Sequence, residues 1–361
     1  MKSANPHPFR LGVIEGFYGT PWSHDARVAF AEFMVAHGLS FYLYAPKADA
    51  HLRKAWRTPF PDAQLAQLAA LSKAFHTAGG LFGVGLSPFE VYRDFGAAEK
   101  QALSDKIHQL NDVGCDMLAI LFDDMRGDVP KLAETQVAIL DYIEQVTTAG
   151  QIIFCPTYYS DDGVLERVFG DMPAGYLDDL GRMLDPAIDI FWTGPKVVSH
   201  DYPLDHLTAF ADRLRRKPFL WDNYPVNDSE KMSKHLHLRG VTGRPHGLRD
   251  VLAGHAANLA LQPMLSRLPL QTLSECYHLG DSYRAGKAFD RAVHDQCDAA
   301  TADALCTDLP LLHDAGMDQL STHQKQALVV KYEALSASPF AREVVAWLKG
   351  AYEFDPACLT D

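Results

Sequence analysis

Two aspartates, Asp123 and Asp124, stand side by side in LAILFDDM (118 to 125), directly after a run apolar enough to be a buried strand. Two acids in one poorly solvated place cannot both ionise cheaply, so their proton affinities separate: one stays charged and the other keeps a proton near neutral pH. Such a pair supplies an acid and a base. From these residues alone three uses stay open: catalysis, a divalent cation, or a structural role in which Asp123 turns outward to cap a helix or form an ion pair. Other apolar runs end in comparable residues, with Glu15 and Tyr18 after the first and Lys47, Tyr159, Thr193 and Lys196 after later ones. Trp221, Asp222, Asn223 and Asp228 follow another. Tyrosine, tryptophan, asparagine and lysine beside carboxylates, with no His or Cys cluster at ligand spacing, argue against a metal. They suit a sugar instead. Trp221, Tyr18 and Tyr159 can wall the apolar ring faces, while Asp228, Asn223 and Lys47 hydrogen-bond hydroxyls.

These residues need a frame that brings loop after loop to one place. Short β-rich runs alternate with longer segments of helical period, the pattern of strand and crossover-helix units around a parallel sheet. Eight runs are counted: 11 to 19, 40 to 47, 81 to 88, 117 to 125, 151 to 159, 188 to 197, 218 to 224 and, more weakly, LRGVTGR at 238 to 244. Between them HDARVAFAEFMVAHG, DAQLAQLAALSKAFHTAGG and KLAETQVAILDYIEQVTTAG read as helices. Eight such units match a closed barrel, and no G-x-G-x-x-G or phosphate-binding loop supports the competing doubly wound sheet. After about residue 290, ATADALCTDLPLLHDAG, DQLSTHQKQALVVKYEAL and PFAREVVAWLKGAYEF read as amphipathic helices. The expected fold is thus α/β, a (β/α)8 TIM barrel with a small C-terminal helical appendage. Its domains are expected over 1–290 and 291–361. In such a barrel the active site lies at the C-terminal strand ends, where the polar residues collect.

The 361 residues carry 33 basic and 46 acidic side chains, a net charge of −13, which disfavours nucleic acid as a partner. No apolar run is long enough for a membrane span, and MKSANPHPFRLG lacks the apolar segment of a secretory leader. A cytoplasmic protein without membrane partners is expected. The six cysteines show no C-x-x-C spacing, which fits unpaired thiols in a reducing compartment.

Six motifs, GVIEGFYGTPW (12 to 22), YAPKADAHLRKAW (44 to 56), LFDDM (121 to 125), CPTYY (155 to 159), WTGPKVVS (192 to 199) and WDNYPVND (221 to 228), occur in order. Together they resemble glycoside hydrolase family 84, the O-GlcNAcase and bacterial hyaluronidase-like β-N-acetylglucosaminidases. The resemblance runs from about residue 11 to 270. It implies retaining hydrolysis of terminal β-linked GlcNAc in which the substrate's own 2-acetamido oxygen attacks the anomeric carbon and forms an oxazoline. It further implies that Asp123 orients the acetamide, that Asp124 is the acid and later the base, and that Tyr159 binds the acetamide oxygen. Cys155 and Trp221 match the pocket around the acetyl methyl, and Gly16, Lys47 and Asp228 match positions that bind hydroxyls. Asn223 matches a supporting position, while Thr193 and Val197 match positions lining the site near the acetamide and the leaving group. Asn258 aligns with a further family asparagine, although Leu259 and Ala260 after it depart from the family's pattern.

The resemblance implies no cofactor and no metal, a GlcNAc-bearing glycoconjugate as partner, and a possible homodimer through the C-terminal helices. Two other readings remain: a catalytically silent GlcNAc-binding protein that keeps the pocket, and a metal-dependent barrel hydrolase.

Overall fold

The computed structural model describes residues 7–352 and 354–358. Residues 1–6, part of the stretch read for a leader, lie outside the described residues, as do residue 353 and residues 359–361 within the expected C-terminal segment. Eight parallel strands close a barrel in sequence order: β1 Arg10–Glu15, β2 Phe41–Tyr44, β3 Leu81–Leu86, β4 Met117–Leu121, β5 Gln151–Cys155, β6 Asp189–Trp192, β7 Phe219–Asp222 and β8 Gly254–Asn258. β1 pairs with both β2 and β8, which completes the ring. Val13, Ile14, Leu43, Ile120 and Phe154 are all buried, as expected of strands covered on both faces. Inside, the rings of Phe41 and Phe219 meet at 5.7 Å and those of Phe191 and Phe219 at 5.3 Å. Because β2 and β7 are not neighbours, the first contact spans the interior, which is packed rather than hollow.

The outer layer is α1 His24–Ala36, α2 Asp62–Ala78, α3 Ala97–Val113, α4 Leu132–Glu144, α5 Val164–Phe169, α6 Tyr176–Met183, α7 Leu204–Leu214, α8 Leu248–Val251 and α9 Pro263–Leu279. The three helices named from the sequence fall on α1, α2 and α4. α1 starts where the Ser23 hydroxyl accepts the N–H of Ala26.

The eighth strand is a correction. LRGVTGR is not a strand: the N–H of Leu238 is given to His313, that of Val241 to Thr272, and Gly240 lies against the Ala285 carbonyl. GHAAN, 254 to 258, takes the place instead. It escapes a β-propensity reading because the interior beside it is full. A side chain at Gly254 would come within 2.4 Å of the Phe219 ring, so the strand is built from small residues rather than branched ones.

Four further helices follow, α10 Ala285–Gln296, α11 Ala299–Leu309, α12 Thr322–Glu333 and α13 Pro339–Leu348. Leu305, Leu312, Tyr332, Phe340, Val344 and Trp347 form a second apolar core with Leu236 and Leu238 of the loop after β7 and Leu265 and Leu268 of α9. The expected division at residue 290 falls inside α10. Polar contacts join the two parts as well: the Trp347 indole donates to the Ser233 carbonyl at 2.9 Å, and Glu343 accepts the N–H groups of Met264 and Leu265 that open α9. Among the described residues no helix is long and apolar enough to cross a membrane.

Candidate active site

A strand points successive side chains to opposite faces, so two adjacent aspartates continuing β4 would diverge. A turn of backbone prevents this. Asp124 has φ of 54°, in the left-handed region, and with that turn Asp123 and Asp124 both line one cavity. The conformation costs about 1–3 kcal/mol in a residue other than glycine. Arg53, from the loop after β2, donates to the Asp124 carbonyl at 2.9 Å and holds the turned peptide from behind.

The cavity measures about 480 Å³ at the C-terminal mouth of the barrel, and thirteen of the sixteen residues singled out from the sequence line it. Lys47 lies between the acids, in direct contact with Asp123 and 3.7 Å from Asp124. The hydroxyl of Tyr18 donates to Asp124 at 2.7 Å and that of Tyr159 at 3.1 Å. Tyr18 also gives its backbone N–H to Asp228 at 2.8 Å, which ties the loop after β1 to that after β7. Gly16 gives its N–H to Asn258 Oδ1 at 3.1 Å, and Asn258 donates to Asn223 Oδ1 at 2.9 Å. Asn223 in turn accepts from the Trp221 indole and donates to the Val197 carbonyl. A side chain at Gly16 would approach the Trp221 ring to 2.6 Å, which is why the tightest point of the wall is glycine. Thr193 donates to the Lys196 carbonyl at 2.9 Å and so shapes its own loop, and Cys155 ends β5 with a buried thiol.

Burial sets the electrostatics, and neighbours split the pair. Burial and the Asp124 charge push Asp123 up, against the pull of Lys47. Burial would raise Asp124 too, but Lys47, Arg53 and the two tyrosine hydroxyls outweigh it and hold that carboxyl below its ordinary value. The affinities separate as two crowded acids must, Asp123 lying above its ordinary value and Asp124 below it. Burial pushes Asp228 up to about 6. Asp123 Oδ2 is engaged by Lys47, whereas Oδ1 is buried and meets no donor of the protein. An unpaired buried acceptor of this kind awaits a ligand N–H or O–H.

Three strand-end residues do not join the cavity. Glu15 is paired with Arg27 of α1 through two 2.7 Å bonds and contacts Tyr42. Asp222 is held by Arg244, His255 and Tyr202. Both alternate with residues that do line the cavity, Gly16 and Trp221, and the period of two turns them the other way. Lys196 is exposed, 3.7 Å from Asp162. Sequence reading also passed over residues the cavity uses. Arg53 sits within a motif already quoted, but LRKAW looks like a solvated charged turn. His237 and His313 carry no local signal, since one lies in the long loop after β7 and the other among the C-terminal helices.

Paired carboxylates at one mouth of an eight-stranded barrel, walled by tyrosine and tryptophan, are the makeup of a glycoside hydrolase. Residues 11–307 match the family model described as beta-N-acetylglucosaminidase. Protein O-GlcNAcase of Mus musculus is 31% identical over 278 residues, covering 74% of this chain and 30% of that protein, and the Rattus norvegicus protein matches to the same extent. The chain therefore spans 30% of the length of these curated relatives. Among solved structures, a mutant of the O-GlcNAc hydrolase of Thermobaculum terrenum aligns with a TM-score of 0.78 at 30% identity, over 94% of this chain and 81% of that one. The chain belongs to the beta-N-acetylglucosaminidase family, glycoside hydrolase family 84, as its six motifs implied.

Proposed function

We propose that the chain is a retaining exo-β-N-acetylglucosaminidase that removes terminal β-linked GlcNAc by substrate-assisted catalysis. The observation that carries this reading is the unpaired Oδ1 of Asp123, buried in the cavity beside the ammonium of Lys47. An acetamide N–H placed on that oxygen is oriented and polarised so that its carbonyl oxygen reaches the anomeric carbon, and no enzyme nucleophile is required. An ordinary retaining pair stands about 5 Å apart with one member free to attack. Here one ammonium reaches both carboxylates, and Asp123 is engaged by it. Lys47 also takes the position a divalent cation would need, which disfavours a metal-dependent reading.

In this mechanism Asp124 protonates the leaving oxygen and later accepts a proton from the water that opens the oxazoline. Its low proton affinity in the free cavity means that the substrate must raise it. The acetamide oxygen draws the Tyr159 hydroxyl away from Asp124, and the bound sugar removes water, and both changes favour the protonated acid. Gly16, Lys47, Asn223, Asp228 and Asn258 hold the hydroxyls and their supports, while Cys155, Thr193, Val197 and Trp221 enclose the acetyl group and the departing bond. The same reading includes a cytoplasmic setting and a homodimer through the C-terminal helices.

The deciding experiment follows GlcNAc release from a fluorogenic β-GlcNAc glycoside and reads the first-formed anomer by NMR. Retention with a trappable oxazoline is expected. Inversion, or a glycosyl ester on either aspartate, would sink the mechanism. A silent GlcNAc-binding protein would bind the sugar without turnover.

A further inference from the structure

The cavity does not end at the partners of one sugar ring. It runs on past Trp221 and Asn223 to His237, in the loop after β7, and His313, in the turn after α11, which both line it with ring centroids 5.8 Å apart. The backbone decides where each ring carries its proton. His237 Nδ1 lies 2.8 Å from the Val226 carbonyl and 3.2 Å from that of Pro225. Carbonyls only accept, so this Nδ1 holds the proton and Nε2 is a bare acceptor. His313 Nδ1 receives the N–H of Leu238 at 3.0 Å and of Arg239 at 3.4 Å. Amides only donate, so here Nδ1 is bare and Nε2 carries the proton. In each ring Nδ1 is turned to backbone, and the remaining polar atom is Nε2.

Burial holds both imidazoles down at about 4, on His313 against the pull of Asp314, so the pattern persists at neutral pH. Tyr224 stacks on His237 at 5.6 Å and 18° and fixes its plane. The two arginines lining the cavity are already engaged, Arg239 with Asp314 and Arg244 with Asp222, and Lys231, which also lines it, is exposed. This end of the cavity therefore presents a preset neutral acceptor next to a preset neutral donor.

We propose that His237 and His313 form an aglycone subsite for polypeptide, reading the backbone N–H and C=O of a substrate residue adjacent to the glycosylated one. A residue in extended backbone shows its N–H and C=O on the same side, the complement of a fixed acceptor and a fixed donor. A sugar hydroxyl rotates to donate or accept and gains nothing from fixed tautomers. The inference deepens the glycosidase reading and rests on it. It also gives the C-terminal helices a part in substrate choice, because His313 belongs to them and is placed by the bond from Leu236 N–H to the Leu312 carbonyl.

The test compares kcat/KM for a GlcNAc-Ser peptide, chitobiose and an aryl β-GlcNAc glycoside in His237→Asn and His313→Asn. Asparagine reproduces the Nδ1 bond to backbone and leaves nothing at Nε2. Each substitution is expected to lower the glycopeptide-to-aryl ratio by roughly three- to tenfold, the worth of one hydrogen bond, mostly in KM. The chitobiose-to-aryl ratio is expected to hold. A parallel measurement needs no variant: with the unaltered protein, N-methylating the amides flanking the glycosylated serine in turn should lower the ratio similarly at one of them. An unchanged glycopeptide ratio in both measurements, or an equal fall for chitobiose, overturns the subsite. Failure of the unaltered protein to cleave any of the three substrates would instead overturn the glycosidase reading itself.

Discussion

Asp124 accepts from the hydroxyls of Tyr18 and Tyr159 on a backbone turned to φ 54°, and each of these features has a measurable consequence. The hydroxyls favour the charged carboxylate, so Tyr18→Phe is expected to raise the proton affinity of Asp124. Since kcat/KM reports the free enzyme, the limb of its pH profile that belongs to Asp124 should move to higher pH, and a fixed profile would deny that Asp124 titrates there. Asp124→Asn tolerates the left-handed turn but cannot donate the proton that a poor leaving group needs. Its rate should fall by a factor of about 10²–10⁴ on an alkyl glycoside and far less on an activated aryl glycoside. Equal losses would remove the acid role. Asp123→Asn should slow both substrates alike, because orienting the acetamide precedes departure of either group.

At the scale of elements, one buried carboxylate of α13 caps the start of α9. Glu343 takes the first free N–H groups of α9, at 2.9 Å from Met264 and 2.8 Å from Leu265, and burial nevertheless pushes it up to about 7 from 4.5. The sign follows from linkage. Between about 4.5 and 7 an unfolded chain has released a proton that the folded one still holds, so stability falls as pH rises through that window. The effect is on the order of 3 kcal/mol. Glu343→Gln keeps an acceptor for α9 and cannot ionise, so thermal unfolding followed across these pH values should show a flatter dependence than in the unaltered protein. β8 is a second element set by its surroundings. Gly254→Val would drive a side chain into the Phe219 ring and is expected to cost about 1–3 kcal/mol in denaturant unfolding, outweighing the higher strand propensity of valine.

For the whole molecule, the net charge of −13 surrounds a mouth whose inner cations are already paired. Acidic glycopeptides should therefore react slowly at low ionic strength and recover as salt screens the repulsion, while neutral ones stay nearly level. A salt series on two otherwise matched glycopeptides measures it. Legibility in the sequence was uneven at this scale for a physical reason. Seven strands were visible because they are apolar and β-rich on both faces, whereas β8 was displaced to LRGVTGR because its small residues answer to Phe219, thirty-five positions earlier in the chain. The thirteen cavity residues were readable as strand-end oddities and motif matches. Glu15 and Asp222 were equally odd by type, and only the direction of the side chain separated them from Gly16 and Trp221.

The order of apolar runs and helical segments was enough to determine a barrel, and the residue types at its strand ends were enough to single out an acid pair among aromatic and amide neighbours, because both are local properties of short stretches. Three matters were settled by tertiary structure alone: in which direction each carboxylate's proton affinity is pushed, which residues can afford to be large in the interior, and that His313 reaches the cavity from beyond the barrel. Each depends on groups far apart in the chain, and electrostatic fields and packing act through space, where sequence distance leaves no trace.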